Sequence, residues 1–325
     1  MEKIINRIKQ SKNFVVTSHV NPDGDNVGSS VAMIKYLKNI GKNAIHVLED
    51  DIPDDLRFLF TNHEVLRDIT SVQKYFGEEA YDLIILDSAE KGRVAIDENI
   101  IDNAACILNI DHHMSNPGFG DLDYIVPSIG SSCEVLTDIL RNIDEEAIDR
   151  EVATALYTGI STDTGNFMFP SVTEDTFYTA AFLTKKGADR DLIANEIYRN
   201  TSMELRLLTK MTLDSFRIRN KVGIMAMTIE MLEASGADYK DTESLANIPI
   251  DTKGVSVGVL VKERGPRSFK ISLRSKGRIN VCEIAKKFDG GGHYNASGCT
   301  ITGDLQEVIE KLQAAAEEQI RKDEK

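Results

Sequence analysis

The chain reads as an α/β protein: a doubly wound, mainly parallel sheet joined by a helical linker to a smaller α/β C-terminal domain. Three observations predict this. Short apolar runs alternate with helix-periodic stretches through the first half, the pattern of a parallel sheet covered by helices. The 325 residues exceed a typical single domain. Beyond Arg217 the pattern changes to longer strands with Gly- and Pro-marked turns. The expected division is a first domain over 1–188, a helical linker over 189–217 and a second domain over 218–325.

In chain order, strands are expected at 13–18, 43–48, 81–86, 105–110 and 124–126. The first long helix begins near Asp25, where Val27, Val31, Ile34 and Leu37 recur at helical spacing, and Gly41 supplies a stop. Further helices are expected over 132–141, 146–159 and 173–186, the last ended by Gly187. Periodicity makes 189–217 helical as well. In the second domain, strands are expected at 222–228, 255–261 and 268–275, the last two separated by the turn signal Arg264-Gly265-Pro266-Arg267. Phe269, Ile271 and Leu273 then share one face of their strand, and Lys270, Ser272 and Arg274 the other. A helix over 280–288 runs into Gly290-Gly291-Gly292-His293, and a last helix starts at Asp304, with Glu307 completing a capping-box-like pair.

Composition narrows the function. The formal net charge of -14 disfavours a general grip on long nucleic acid. Against that background, 253–278 carries eight cationic side chains and only Glu263 as an anion, so an anionic ligand should touch this stretch. Cys106, Cys133, Cys282 and Cys299 form no CxxC pair, which argues against a zinc knuckle or disulfide framework and for a reducing, cytoplasmic location. No apolar run approaches the roughly 18 residues of a membrane span, so no membrane partner is expected.

His19, Asp23 and Asp25 lie in a loop between the first strand and the first long helix. Asp87 closes one apolar strand, and Asp111-His112-His113 closes another. If the strands are parallel, all of them gather at one carboxyl edge, where open α/β sheets bind ligands. Asp163 ends a helix whose position the sequence does not give. A lone Asp-Gly-Asp is usually a turn, and adjacent histidines can simply cap a strand. Their joint occurrence favours a metal centre. Carboxylates and imidazoles without thiolate suit manganese, magnesium, iron or cobalt, with zinc open. A carboxylate bridging two cations can hold a hydroxide for in-line attack on phosphorus. His46 and His63 fall outside the pattern and are expected to be structural or solvated.

These motifs, His19-x3-Asp23-x-Asp25, Asp87, Asp111-His112-His113, Asp163 and Gly290-Gly291-Gly292-His293, resemble those of the DHH phosphoesterases with their DHH-associated C-terminal domain. The layout is most similar to the stand-alone branch that includes nanoRNase. The resemblance implies that His19, Asp23 and Asp87 bind one cation and that Asp25, Asp87, His112 and Asp163 bind the other, Mn2+ first and Mg2+ or Co2+ as alternatives. It gives His113 the scissile phosphate or leaving oxygen, and makes Asp111 an orienting group. Arg274, Gly291, Gly292 and His293 become substrate-binding residues, while Lys270 and Ser272 are expected to be only solvated. Short RNA oligonucleotides of about two to five nucleotides become the expected substrates, remote binding being spent at the reacting centre, together with adenosine 3',5'-bisphosphate. Cyclic or linear dinucleotides such as di-adenylate are the alternative, and a catalytically inactive nucleotide-binding regulator a more distant one. A homodimer is left open. The sequence departs from its relatives at Asn26-Val27, where they carry small residues, a position expected to touch no ligand.

Overall fold

The computed structural model describes residues 1–61, 63–292 and 294–324. They form two compact units, Met1–Asn200 and Thr201–Lys325.

The first unit opens with α1 (Glu2–Gln10), followed by β1 (Asn13–Thr17), α2 (Gly24–Asn39), β2 (Asn43–Val47) and β3 (Val65–Leu66). Then come α3 (Ile69–Phe76), β4 (Asp82–Leu86), α4 (Glu98–Asp102), β5 (Cys106–Asp111) and β6 (Leu122–Ile125). Helices α5 (Ser132–Asp144), α6 (Arg150–Asp163), α7 (Glu174–Lys185) and α8 (Arg190–Ile193) complete the unit. The strands lie in the order β3-β2-β1-β4-β5-β6, and every pairing is parallel. Successive side chains of a strand face opposite sides, and two cores result. Phe14, Val16, Ile84, Leu86, Leu108 and Ile110 pack with α1, α2, α5 and α6, whereas Val15, Ile45, Val47, Leu83 and Ile85 pack with α3 and α4. This is the doubly wound arrangement expected from the apolar runs. Arg7 fixes α1 to the start of β4 through two 2.6 Å bonds to Asp82.

Two expected helices differ in extent. The helix expected over 146–159 starts later, because Asp149 caps it by accepting from the Val152 N–H at 2.9 Å, and it continues through Asp163. The expected helical stretch 189–217 is interrupted: α8 passes into a π-helical turn over Ala194–Tyr198, and Ser202 then caps a new helix.

That helix, α9 (Met203–Asp214), opens the second unit, followed by β7 (Arg217–Arg219), β8 (Val222–Met227), α10 (Ile229–Ser235) and α11 (Asn247–Asp251). Next are β9 (Val257–Gly265), β10 (Ser268–Ser275), α12 (Val281–Lys286), β11 (Gly291–Gly292), β12 (Ala296–Thr302) and α13 (Leu305–Asp323). The strand order is β11-β12-β10-β9-β8-β7, antiparallel except for the parallel pair β8 and β9. Phe269, Ile271 and Leu273 do share the buried face, under α12 and α13. On the other face Ser272 is buried, and Lys270 bonds Glu243 at 2.9 Å, so neither is merely solvated. Lys262, wholly buried, reaches the same Glu243 oxygen at 2.6 Å. Strands β7, β11 and β12 carry no alternating apolar signal strong enough to be expected. The last helix is capped by Asp304, which accepts from the N–H of Gln306 rather than pairing with Glu307.

Among the described residues, no helix is long and apolar enough to cross a membrane.

Candidate metal centre

β1 and β4 are the neighbours at which the winding of the parallel sheet reverses, and ligands bind outside the carboxyl ends of strands at such a point. His19 follows β1, Asp23 is the N-cap of α2, and Asp25 lies in that helix's first turn. Asp87 follows β4, Asp111 ends β5, and His112 and His113 come next. Asp87 adopts a left-handed backbone with φ of 54°, a conformation Asp tolerates better than most residues. Its N–H is held by the carbonyl of Ile110 at 3.0 Å. Asp163, the last residue of α6, joins them because α6 packs along α2.

The contact between those two helices depends on glycine. A Cβ on Gly28 would lie 2.6 Å from the carbonyl oxygen of Ala155, and one on Gly159 would lie 2.7 Å from Asp25 Oδ1 and 2.2 Å from Cys133 Sγ.

Three groups of potential donors result: His19, Asp23 and Asp87; Asp25, His112 and Asp163; and Asp87, His112 and His113. His19 Nε2 lies 3.4 Å from Asp87 Oδ2 and 3.9 Å from Asp23 Oδ2. His112 Nε2 lies 3.3 Å from Asp163 Oδ2, 3.6 Å from Asp87 Oδ1 and 4.0 Å from Asp25 Oδ2. Each ring turns Nε2 inward because Nδ1 faces a backbone carbonyl, Val20 at 2.7 Å for His19 and Ile129 at 3.1 Å for His112. A proton on Nδ1 donated there leaves the Nε2 lone pair for a ligand. His113 differs. Its Nδ1 is 2.7 Å from Asp111 Oδ1, whose carboxylate also accepts from the N–H of His112 and from Asn116 Nδ2.

Asp25 and Asp87 are almost wholly buried. Desolvation raises both carboxyls, Asp87 well above the ordinary range, with neighbouring aspartates adding to it. Burial, then the charge of Asp25, pushes Asp163 up to about 7. For His112, burial pulls the pKa down, but the charges of Asp25, Asp87 and Asp163 outweigh it and raise the ring to about 9. The ion-pair partners of these carboxylates among the described residues are histidines; neither Lys nor Arg reaches them. Concentrated negative charge with oxygen and imidazole donors fits divalent cations.

Residues 13–160 match the DHH family, N-terminal domain, and residues 221–322 match the DHHA1 domain. The chain is 31% identical over 306 residues to the bifunctional oligoribonuclease and PAP phosphatase NrnA of Thermus thermophilus, covering 94% of this chain and 89% of that protein. The chain belongs to the DHH family. It is also 27% identical, over 91% of each chain, to a probable bifunctional oligoribonuclease and PAP phosphatase NrnA of Streptococcus mutans. The crystal structure of an exopolyphosphatase-related protein from Bacteroides fragilis superposes with a TM-score of 0.89 at 27% identity, covering 98% of this chain and 96% of that one. DHH phosphoesterases are metal-dependent, and this member carries donor groups able to hold metal.

The DHHA1 portion of this DHH protein places Arg274 on β10, opposite Ala296 of β12, half-buried, with Nη1 donating to the Leu273 carbonyl at 3.0 Å. Burial lowers its pKa while Glu243 opposes. No carboxylate among the described residues forms an ion pair with it. Gly291 and Gly292 form the exposed edge strand β11, paired with Gly298 and Ser297. His293 lies outside the described residues.

Asn26 corrects an expectation. Its Nδ2 donates to the His19 carbonyl at 3.0 Å and its Oδ1 accepts from Ser18 at 2.7 Å, so it braces a candidate ligand. Ser132 was missed because its contacts bridge distant segments, and Asn116 because only the loop after β5 folds it back onto Asp111. His46 and His63 bond each other at 3.0 Å, the structural one of the two roles expected for them.

Proposed function

We propose that the chain hydrolyses short oligoribonucleotides of about two to five nucleotides to mononucleotides and removes the 3'-phosphate of adenosine 3',5'-bisphosphate, using two divalent cations, manganese first among the candidates. The supporting observation is the sharing of Asp87 between donor groups at the sheet's switch point, in a chain that matches NrnA relatives along most of its length. His19, Asp23 and Asp87 would hold one cation, and Asp25, Asp87, His112 and Asp163 the other. Bound there, the cations supply Lewis-acid charge and activate the attacking water.

The chain's own residues do the rest. His113, oriented through Nδ1 by Asp111, presents Nε2 to the scissile phosphate or leaving oxygen. Asp111 stays ionised, since bonds from His113 and Asn116 outweigh its burial, and so it supports the protonated ring when that ring donates to the leaving oxygen. Arg274 suits a terminal phosphate, which a guanidinium can grip with two parallel bonds, and Gly291 and Gly292 permit close backbone approach. His293 is retained with them on the strength of the motif.

The test is a manganese-dependent rate comparison across a two- to ten-nucleotide RNA ladder, adenosine 3',5'-bisphosphate, and linear and cyclic di-adenylate. The expected order has dinucleotides to pentanucleotides and the bisphosphate fastest, with Asp87→Ala inactive on all. Equal rates on long strands, or a clear preference for the cyclic dinucleotide, would sink the assignment.

A further inference from the structure

The two acids on which the donor groups depend are gripped by one turn of helix. Ser132, the first residue of α5, is fully buried. Its N–H donates to Asp25 Oδ2 at 2.6 Å, and the N–H of Cys133 to Asp25 Oδ1 at 2.9 Å. Its hydroxyl donates to Asp87 Oδ1 at 3.0 Å. Asp25 belongs with His112 and Asp163, Asp87 with His19 and Asp23. One serine therefore touches both groups.

The hydroxyl has no duty in capping the helix. That is done by Ser131, whose Oγ accepts from the N–H of Glu134 at 3.1 Å. Nor can Asp87 set its own carboxylate plane, because the terminal torsion of an aspartate is soft. The plane matters: Oδ2 faces His19 and Oδ1 faces His112. A donor reaching Oδ1 alone fixes which oxygen serves which side.

We infer that Ser132 is a positioning residue that aligns Asp87 against Asp25 and so couples the two cations into one centre; this rests on the metal reading above. Outer partners of ligating groups of this kind change metal affinity by about 10- to 100-fold.

The experiment is Mn2+ titration by calorimetry, with low-temperature electron paramagnetic resonance of the loaded proteins. Wild type, Ser132→Ala, Ser132→Gly and Ser131→Ala are compared. Wild type is expected to bind two ions with an exchange-coupled spectrum. Both Ser132 variants should bind the second ion about 10- to 100-fold more weakly and show the spectrum of uncoupled ions. Ser131→Ala, which removes the cap, should melt at a lower temperature and keep the coupled pair. Coupled spectra and unchanged affinities in both Ser132 variants overturn the inference. So does equal loss of coupling in Ser131→Ala, which would assign the effect to the helix as a whole. A wild type that binds fewer than two ions overturns the metal reading itself, and this inference with it.

Discussion

A buried imidazole is tolerated best when it stays neutral, and His46 does so with Nδ1 bonded to His63 while its buried Nε2 has no hydrogen-bond partner among the described residues. It is 1% exposed on β2 and shares a 3.0 Å bond with His63. Burial first, then neighbouring positive charge from His63, Arg67 and Lys38, drives His46 well below the usual range. Burial with Lys38 and Lys35 brings His63 down to about 4. Unfolding restores His63 to its ordinary 6.5, so the unfolded chain binds the extra proton between those values. The stability contributed is complete above pH 6.5 and is lost as pH falls toward 4, up to about 3 kcal/mol for His63. Urea midpoints followed from pH 7 to pH 4 should fall for the wild type. His63→Gln, which keeps a hydrogen-bonding partner for His46, should give a shallower fall; an unchanged slope would refute this origin. At this scale the sequence exposed the chemistry of residues in motifs but not their bracing. Asp25 and His112 stand out by type and position, whereas Asn116 matters only because its Nδ2 lies 2.7 Å from Asp111, and Asn26 because it holds the carbonyl of His19.

Helices α2 and α6 carry Asp25 and Asp163, so the spacing between the two elements sets the spacing between those carboxylates. Gly28→Ala tests this with opposing terms. Helix propensity alone favours the alanine by about 1 kcal/mol. The new Cβ, however, would sit 2.6 Å from the Ala155 carbonyl oxygen, a backbone atom of α6 that cannot swing aside. Overpacking of this kind costs about 1–3 kcal/mol, so net destabilisation is expected, accompanied by weaker manganese binding as α6 is pushed outward. Chemical denaturation and calorimetry check both; a stabilised variant with unchanged metal affinity would show that the helices have room to spare. Strands β1, β4 and β5 were legible because burial on both faces leaves nearly continuous apolar runs, and α2 because its apolar residues recur at helical spacing. Strand β12 was not: its sequence Ala-Ser-Gly-Cys-Thr-Ile-Thr has small residues where a strand would show large ones, and a Cβ on Gly290 or Gly292 would lie 2.3 or 2.7 Å from its backbone oxygens. The glycine run thus has a packing use beside any role toward phosphate.

At the scale of the whole molecule, a net charge of -14 has to coexist with an anionic substrate. The parallel-sheet unit adds to the problem, because its candidate centre is itself a cluster of aspartates whose ion-pair partners among the described residues are histidines. The second unit offers the opposite sign, but much of its positive charge is already committed: Lys262 and Lys270 share Glu243. Arg274 is partly desolvated and has no carboxylate ion-pair partner among the described residues. A guanidinium held in this way is prepared for an incoming anion, and its loss should be felt by substrates that carry a second phosphate or nucleotide. Arg274→Ala is expected to lower kcat/KM on a dinucleotide by about 10- to 100-fold, the worth of a charged hydrogen bond of about 1.5–3 kcal/mol. Arg274→Lys should recover only part of it, since an ammonium cannot make two parallel bonds. Bis(4-nitrophenyl) phosphate, which presents a scissile diester and nothing more, should be hydrolysed by all three proteins at similar rates in manganese. An equal loss on both substrates would instead place Arg274 in support of the chemical step or of the fold, and no loss on either would remove it from the substrate site.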